Sequence, residues 1–183
     1  MSPYAKARLR IALLLFLVVL IETALGSDLR VFGVAPDLMV LVVICAGLTG
    51  GTEAGAWVGF CGGLFMDMFL TSTPVGLSAL TYCLIGASVG ALRASVLTDR
   101  KAVLPLAGLI GTAAAVLLFV AVGDVLGQHQ LLGAGRAWLI KVVVIESLWN
   151  AVLALPAAYI YARAARGSAG IERLGVPVGS PAR

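Results

Sequence analysis

Long apolar runs broken by short polar or glycine-rich stretches dominate this chain. They extend from Leu9 to Leu25, Val31 to Leu48, Ala54 to Leu70, Val75 to Leu92, Ala102 to Val122 and Ala137 to Ala162. Their lengths of 17, 18, 17, 18, 21 and 26 residues bracket the ~20 residues that cross a hydrocarbon core as a helix. The pattern predicts an all-α, polytopic membrane protein: one six-helix transmembrane domain over residues 1–166 and a flexible tail over 167–183 rich in glycine, proline and serine. Within it the expected helical spans are about 9–25, 36–49, 54–70, 75–92, 102–122 and 137–162.

The stretch from Gly55 to Gly76 stands out. Gly55, Gly59 and Gly63 recur every fourth position and Asp67 continues the series. On a helix the four positions form one slowly drifting stripe about 18 Å long. Such a small-residue stripe lets another backbone approach closely, and a carboxylate in the same apolar segment must find a partner or water. Gly86 and Gly90 form a second small-residue pair in the fourth span.

Turn chemistry marks the helix starts. Pro36-Asp37 reads as the opening of the second span, with proline at its first position and the aspartate facing the positive end of the helix dipole. That leaves a span to about Thr49, roughly 21 Å long and short for a relaxed bilayer, so residues 31–35 should dip into the membrane or be sheltered by protein. Gly50-Gly51-Thr52-Glu53 predicts a tight turn. Thr73-Pro74 predicts an N-cap followed by the first residue of the fourth helix, with Val75-Gly76 inside the same hairpin. Asp67, about one turn before that hairpin, is placed to accept hydrogen bonds from the free amides at the start of the fourth helix.

The remaining polar residues are sparse. Glu22 lies near the end of the first span, as a solvated helix end or a pairing group. In the last span Glu146 and Asn150 are four apart and share a face, whereas Lys141 lies about 140° away from Glu146 around the helix and is expected to snorkel outward. Glu146 therefore needs another helix, an outside subunit or a proton. Pro156 is a candidate kink. The lone His129 has no cysteine or second histidine nearby and reads as a loop residue.

Composition sharpens the class. Hydrophobic residues make up 61% and charged residues 12% of 183 residues, with a mean hydropathy of +1.05, too little charge to cover a soluble surface. The net charge of +4 follows topology. With the N-terminus inside, Lys6, Arg8, Arg10, Arg93, Arg100, Lys101, Arg163, Arg166, Arg173 and Arg183 fall on the cytoplasmic side, against Arg30, Arg136 and Lys141 outside. This bias puts both termini in the cytoplasm and leaves no reason to expect a nucleic-acid surface. The first span also resembles a signal peptide, with Ala24-Leu25-Gly26 as a cleavage point, but cleavage would spoil the charge alternation. Cys45, Cys61 and Cys83 all fall in apolar spans and read as small buried residues.

No catalytic, cofactor or metal motif is visible: no serine paired with a membrane histidine, no zinc motif, no second aspartate to make a dyad with Asp67, and no phosphate-cradling lysine loop. Structural or interaction roles are expected for Pro36, Asp37, Gly55, Gly59, Gly63, Asp67, Pro74, Gly76, Gly86, Gly90, Glu146 and Asn150.

Three features in order, Pro36-Asp37 opening a short second helix, the glycine-rich third helix GFCGGLFMDMF with Asp67, and the turn containing Pro74, Gly76 and Leu77, resemble the MreD family of bacterial rod shape-determining membrane proteins over about residues 31–93. The resemblance implies a non-catalytic six-helix inner-membrane subunit of the cell-elongation machinery that supports peptidoglycan synthesis. Its implied partners are membrane lipid, the single-span periplasmic protein MreC, the actin-like MreB, the synthase RodA and its penicillin-binding transpeptidase. It also implies an architecture similar to the substrate-binding subunits of energy-coupling-factor vitamin transporters. An exposed part of a small-residue face would receive a partner's helix. The alternative is a transporter substrate-binding subunit, with a ligand pocket drawn from Glu22, Asp37, Asp67, Tyr82, Glu146, Trp149 and Asn150.

Overall fold

A computed structural model describes residues 3–25, 32–69, 74–96, 100–128 and 135–166. Over these residues it is helical: α1 Pro3–Leu25, α2 Leu38–Phe69, α3 Leu77–Val96, α4 Arg100–Val125 and α5 Arg136–Ala164. The tail 167–183, His129 and Thr73 lie outside the described residues.

The second and third expected spans form one element, α2, broken at a single residue. Gly51 has φ 84° and ψ −171°, a backbone conformation open to glycine and strained for residues with a Cβ. The chain folds back there. Side chains added at Gly47 and Gly55 would meet the same carbonyl of Gly86, and one at Gly62 would meet Met39. The arms 38–50 and 52–69 therefore run antiparallel. The predicted four-residue turn is reduced to one residue because helical geometry persists on both sides of Gly51.

The first arm is the centre of the bundle. Every residue from Met39 to Leu48 is buried, which agrees with a segment apolar on all faces rather than along one stripe. The arm is surrounded by protein over this length. Val34 and Pro36 before it are buried as well.

The second arm lies along α3, and α2 with α3 makes the most extensive helix contact among the described residues. Gly55, Gly59 and Gly63 face Gly86, Tyr82 and Ala79 of α3, and Gly90 faces Gly51 and Thr52. At these positions a Cβ would run into backbone, which cannot move aside as a flexible side chain can. The stripe is thus occupied within the chain, and no open small-residue groove remains along it for a partner helix. Its other face is apolar and outward, with Trp57, Phe60, Leu64 and Met68 exposed.

Helix bounds differ from the apolar runs in informative ways. α1 begins at Pro3 and includes Lys6, Arg8 and Arg10, because lysine and arginine are good helix formers even where they end the apolar stretch. α3 starts at Leu77 rather than Pro74, since Gly76 has φ 104° and its carbonyl accepts the amide of Leu80 at 2.9 Å. α5 continues through Pro156. Cys45 is buried as expected, but Cys61 is exposed and Cys83 half-buried. By length and composition α2, residues 103–125 of α4, and α5 qualify to cross a membrane, and Leu77–Arg93 is a shorter apolar helix.

Candidate functional site

Asp37 stands where the end of α1 and the starts of α2 and α3 meet the middle turns of α4 and α5. Phe32 (φ 53°) and Gly33 (φ 84°) turn the chain into this position. Asp37 is the residue before α2, and its Oδ1 accepts the Val40 amide at 2.8 Å, the geometry of an N-cap. The cap is therefore Asp37, and Pro36 precedes it rather than occupying the first helical position. Its second oxygen, Oδ2, accepts the Tyr82 hydroxyl of α3 at 2.7 Å. Its main-chain carbonyl accepts Asn150 Nδ2 of α5 at 2.8 Å. The same Nδ2 also donates to Thr112 Oγ1 of α4 at 2.9 Å.

α1 joins through Glu22. Its Oε1 accepts the Met39 amide at 3.0 Å, so this carboxylate serves the start of α2 and is no solvated helix end. Two orphan amides of that start, Met39 and Val40, thereby receive carboxylate oxygens. In an apolar surrounding the acceptors are worth more than at a wet surface, because water cannot replace them.

Asp67 does for α3 what Glu22 and Asp37 do for α2. Only 2% exposed, it accepts the amide of Gly76 at Oδ2 (2.7 Å), of Ser78 at Oδ1 (3.1 Å) and of Ala79 at Oδ2 (3.2 Å). Pro74 has no amide to satisfy, and its carbonyl accepts the Leu77 amide at 3.2 Å. The hairpin between the second arm of α2 and α3 is closed by one side chain.

Beside Asp37 lies a cavity of about 220 Å³ lined on its polar side by Asp37, Ser78, Tyr82 and Glu146. The second arm, α4 and α5 supply apolar walls, among them Met66, Phe119 and Trp138. Two of the sequence-predicted residues, Asp37 and Glu146, thus meet here, with Asn150 bound behind Asp37. Asp67, Pro74 and Gly76 form the neighbouring hairpin. The five glycines Gly55, Gly59, Gly63, Gly86 and Gly90 serve helix packing instead. Trp149 does not line the cavity; Trp138 does.

Thr112, Ser78 and Trp138 escaped the sequence reading, yet a signal existed. Trp138, Val142, Glu146 and Asn150 recur every fourth residue of α5, so the face that carries Glu146 also carries the tryptophan. Thr112, Ala115, Val116, Phe119 and Val120 form the matching face of α4. Nothing in the sequence brings the two faces together.

Among the described residues no group of three or more His, Cys, Asp or Glu side chains is placed to hold a metal ion. The carboxylates Glu22, Asp37 and Asp67 bind backbone amides at helix starts. An all-helical bundle with long apolar helices, joined by carboxylates at helix starts and by close glycine contacts along two of the helices, defines a polytopic helical membrane protein. The family model of the rod shape-determining protein MreD matches residues 5–161 of the 183-residue chain, and the chain belongs to that family. No curated protein and no solved structure matches it.

Proposed function

We propose that the protein is a non-catalytic scaffold of the bacterial cell-elongation complex, crossing the inner membrane six times with both termini in the cytoplasm. The family match over residues 5–161 carries this reading. The crossings would be α1, the two arms of α2, α3, α4 and α5; the fold-back at Gly51 supports counting α2 twice. The excess of Lys and Arg on one side of those crossings supports the orientation. The use of Glu22, Asp37 and Asp67 as acceptors for helix-start amides supports a structural rather than a chemical role for the buried acids.

In this reading the protein holds an MreC-like single-span protein in the membrane, and through it RodA, a penicillin-binding transpeptidase and MreB. Because Gly55, Gly59 and Gly63 lie against α3, the partner's helix meets a different, lipid-exposed surface. An architecture similar to energy-coupling-factor substrate-binding subunits belongs to the same proposal. The cavity beside Asp37 favours one second reading, a substrate-binding subunit of a small-molecule transporter.

Depletion in the native host, followed by microscopy and pull-down with an MreC-like protein, separates the two. Cell rounding or widening together with co-purification supports the scaffold. Intact shape combined with a vitamin requirement supports the transporter. Orientation is tested separately with an impermeant thiol reagent on intact cells, in a Cys61→Ser background. Gly127→Cys should label and Arg166→Cys should not; the reverse pattern inverts the topology.

A further inference from the structure

The cavity beside Asp37 has an electrostatic imbalance that the scaffold role does not use. Asp37 and Glu146 both line it, and among the described residues no lysine, arginine or histidine does. Asp37 is engaged by Val40 and Tyr82. Glu146 feels Asp37 but receives no hydrogen bond among the described residues. Ser78 also lines the void while only 3% exposed. Its amide donates to Asp67, and its hydroxyl lies beside the void. A carboxylate open to a void in an apolar bundle is costly unless something meets it, and a hydroxyl beside it can share the same guest.

The chemistry of the walls restricts what that is. Carboxylate and hydroxyl oxygens attract a positive donor through charge-assisted hydrogen bonds. The aromatic faces of Phe119 and Trp138, with Met66 and Val116, suit an apolar body and add cation–π attraction. A bare inorganic cation fits poorly, because hard cations want six or more oxygens and the described residues offer no metal-holding cluster. The volume of about 220 Å³ has room for roughly ten non-hydrogen atoms at ~20–30 Å³ each. Trp138 is 43% exposed, which leaves the site reachable from its own end of the bundle.

We propose that this cavity binds a primary ammonium group carried on an apolar body, with Glu146 as its counter-charge and the Ser78 and Tyr82 hydroxyl oxygens as acceptors. A free amine and the headgroup of phosphatidylethanolamine share this chemistry.

The test uses the full chain in nanodiscs of phosphatidylglycerol alone, titrated with 2-phenylethylammonium and followed by calorimetry, with 2-phenylethanol as the neutral match. The cation should bind saturably, at least ~10-fold tighter than the alcohol, a difference of about 1.4 kcal/mol. Glu146→Gln should remove most of that preference, and Ser78→Ala should weaken cation binding several-fold with the charge intact. Each variant's unfolding midpoint is read in parallel; if Glu146→Gln does not fold, Ser78→Ala decides. Equal binding of cation and alcohol, no saturable binding, or a preference unchanged in the folded variants overturns the proposal. Repeating the titration in phosphatidylethanolamine nanodiscs identifies the source. A rise of ~10-fold or more in apparent Kd assigns the site to the headgroup, and an unchanged value assigns it to a free amine.

Discussion

The Tyr82 hydroxyl lies 2.7 Å from Asp37 Oδ2, so a side chain in the first turns of α3 holds the residue that caps α2. Removing the hydroxyl leaves Asp37 with its Val40 amide. Tyr82→Phe should therefore cost about 0.5–1.5 kcal/mol, the net worth of a typical intramolecular hydrogen bond. Asp37→Ala loses the cap, at ~0.5–2 kcal/mol, and also strands the Tyr82 hydroxyl. It should be clearly the worse of the two in an equilibrium unfolding titration in detergent micelles; equal costs would show that Asp37 acts only through Tyr82.

Asp67 offers a sharper contrast. Three amides converge on its two oxygens, and an alanine there would leave all three without a buried acceptor. At ~1–3 kcal/mol for each stranded group, partly relieved by local fraying, Asp67→Ala should destabilise by several kcal/mol and expose the hairpin to protease. Asp67→Asn keeps one acceptor oxygen and should fall between wild type and alanine. Wild-type protease resistance of Asp67→Ala would mean that these amides find other acceptors.

The glycine contacts separate packing from lipid exposure. A Cβ on Gly59 would press on the Tyr82 carbonyl, and one on Gly63 on the backbone at Ala79. Gly59→Leu and Gly63→Leu should abolish folded protein by fluorescence-detected size exclusion. Trp57→Ala, two residues away on the outward face with 63% exposure, should stay within ~0.5 kcal/mol of wild type. A folded Gly59→Leu with wild-type stability would contradict the helix-on-helix contact itself.

Asn150 links α5 to α4 and to the start of α2. Hydrogen bonds between membrane helices average about 0.6 kcal/mol, with a maximum near 1.7. A double-mutant cycle of Asn150→Ala with Thr112→Ala should therefore give a coupling of about 0.5–1.5 kcal/mol. A coupling near zero would show that Thr112 and Asn150 find other partners as readily when separated.

The helical class, the approximate limits of each apolar run and the positions of the chain reversals were set by the sequence, because these follow from local rules: apolar length, glycine at a positive φ, and a carboxylate within reach of the next helix start. Asp67 and the Gly76 turn belong here, since donor and acceptor are nine residues apart. The partners of Asp37, Glu22 and Asn150 are different. Tyr82 is 45 residues from Asp37, and Asn150 is 113 from it; periodicity can say that such residues share a helix face but not which face meets which. The same limit explains the glycine stripe. Its capacity for close approach is written in its spacing, but only the fold-back at Gly51 and the return of α3 along the second arm decided that its own chain would fill it.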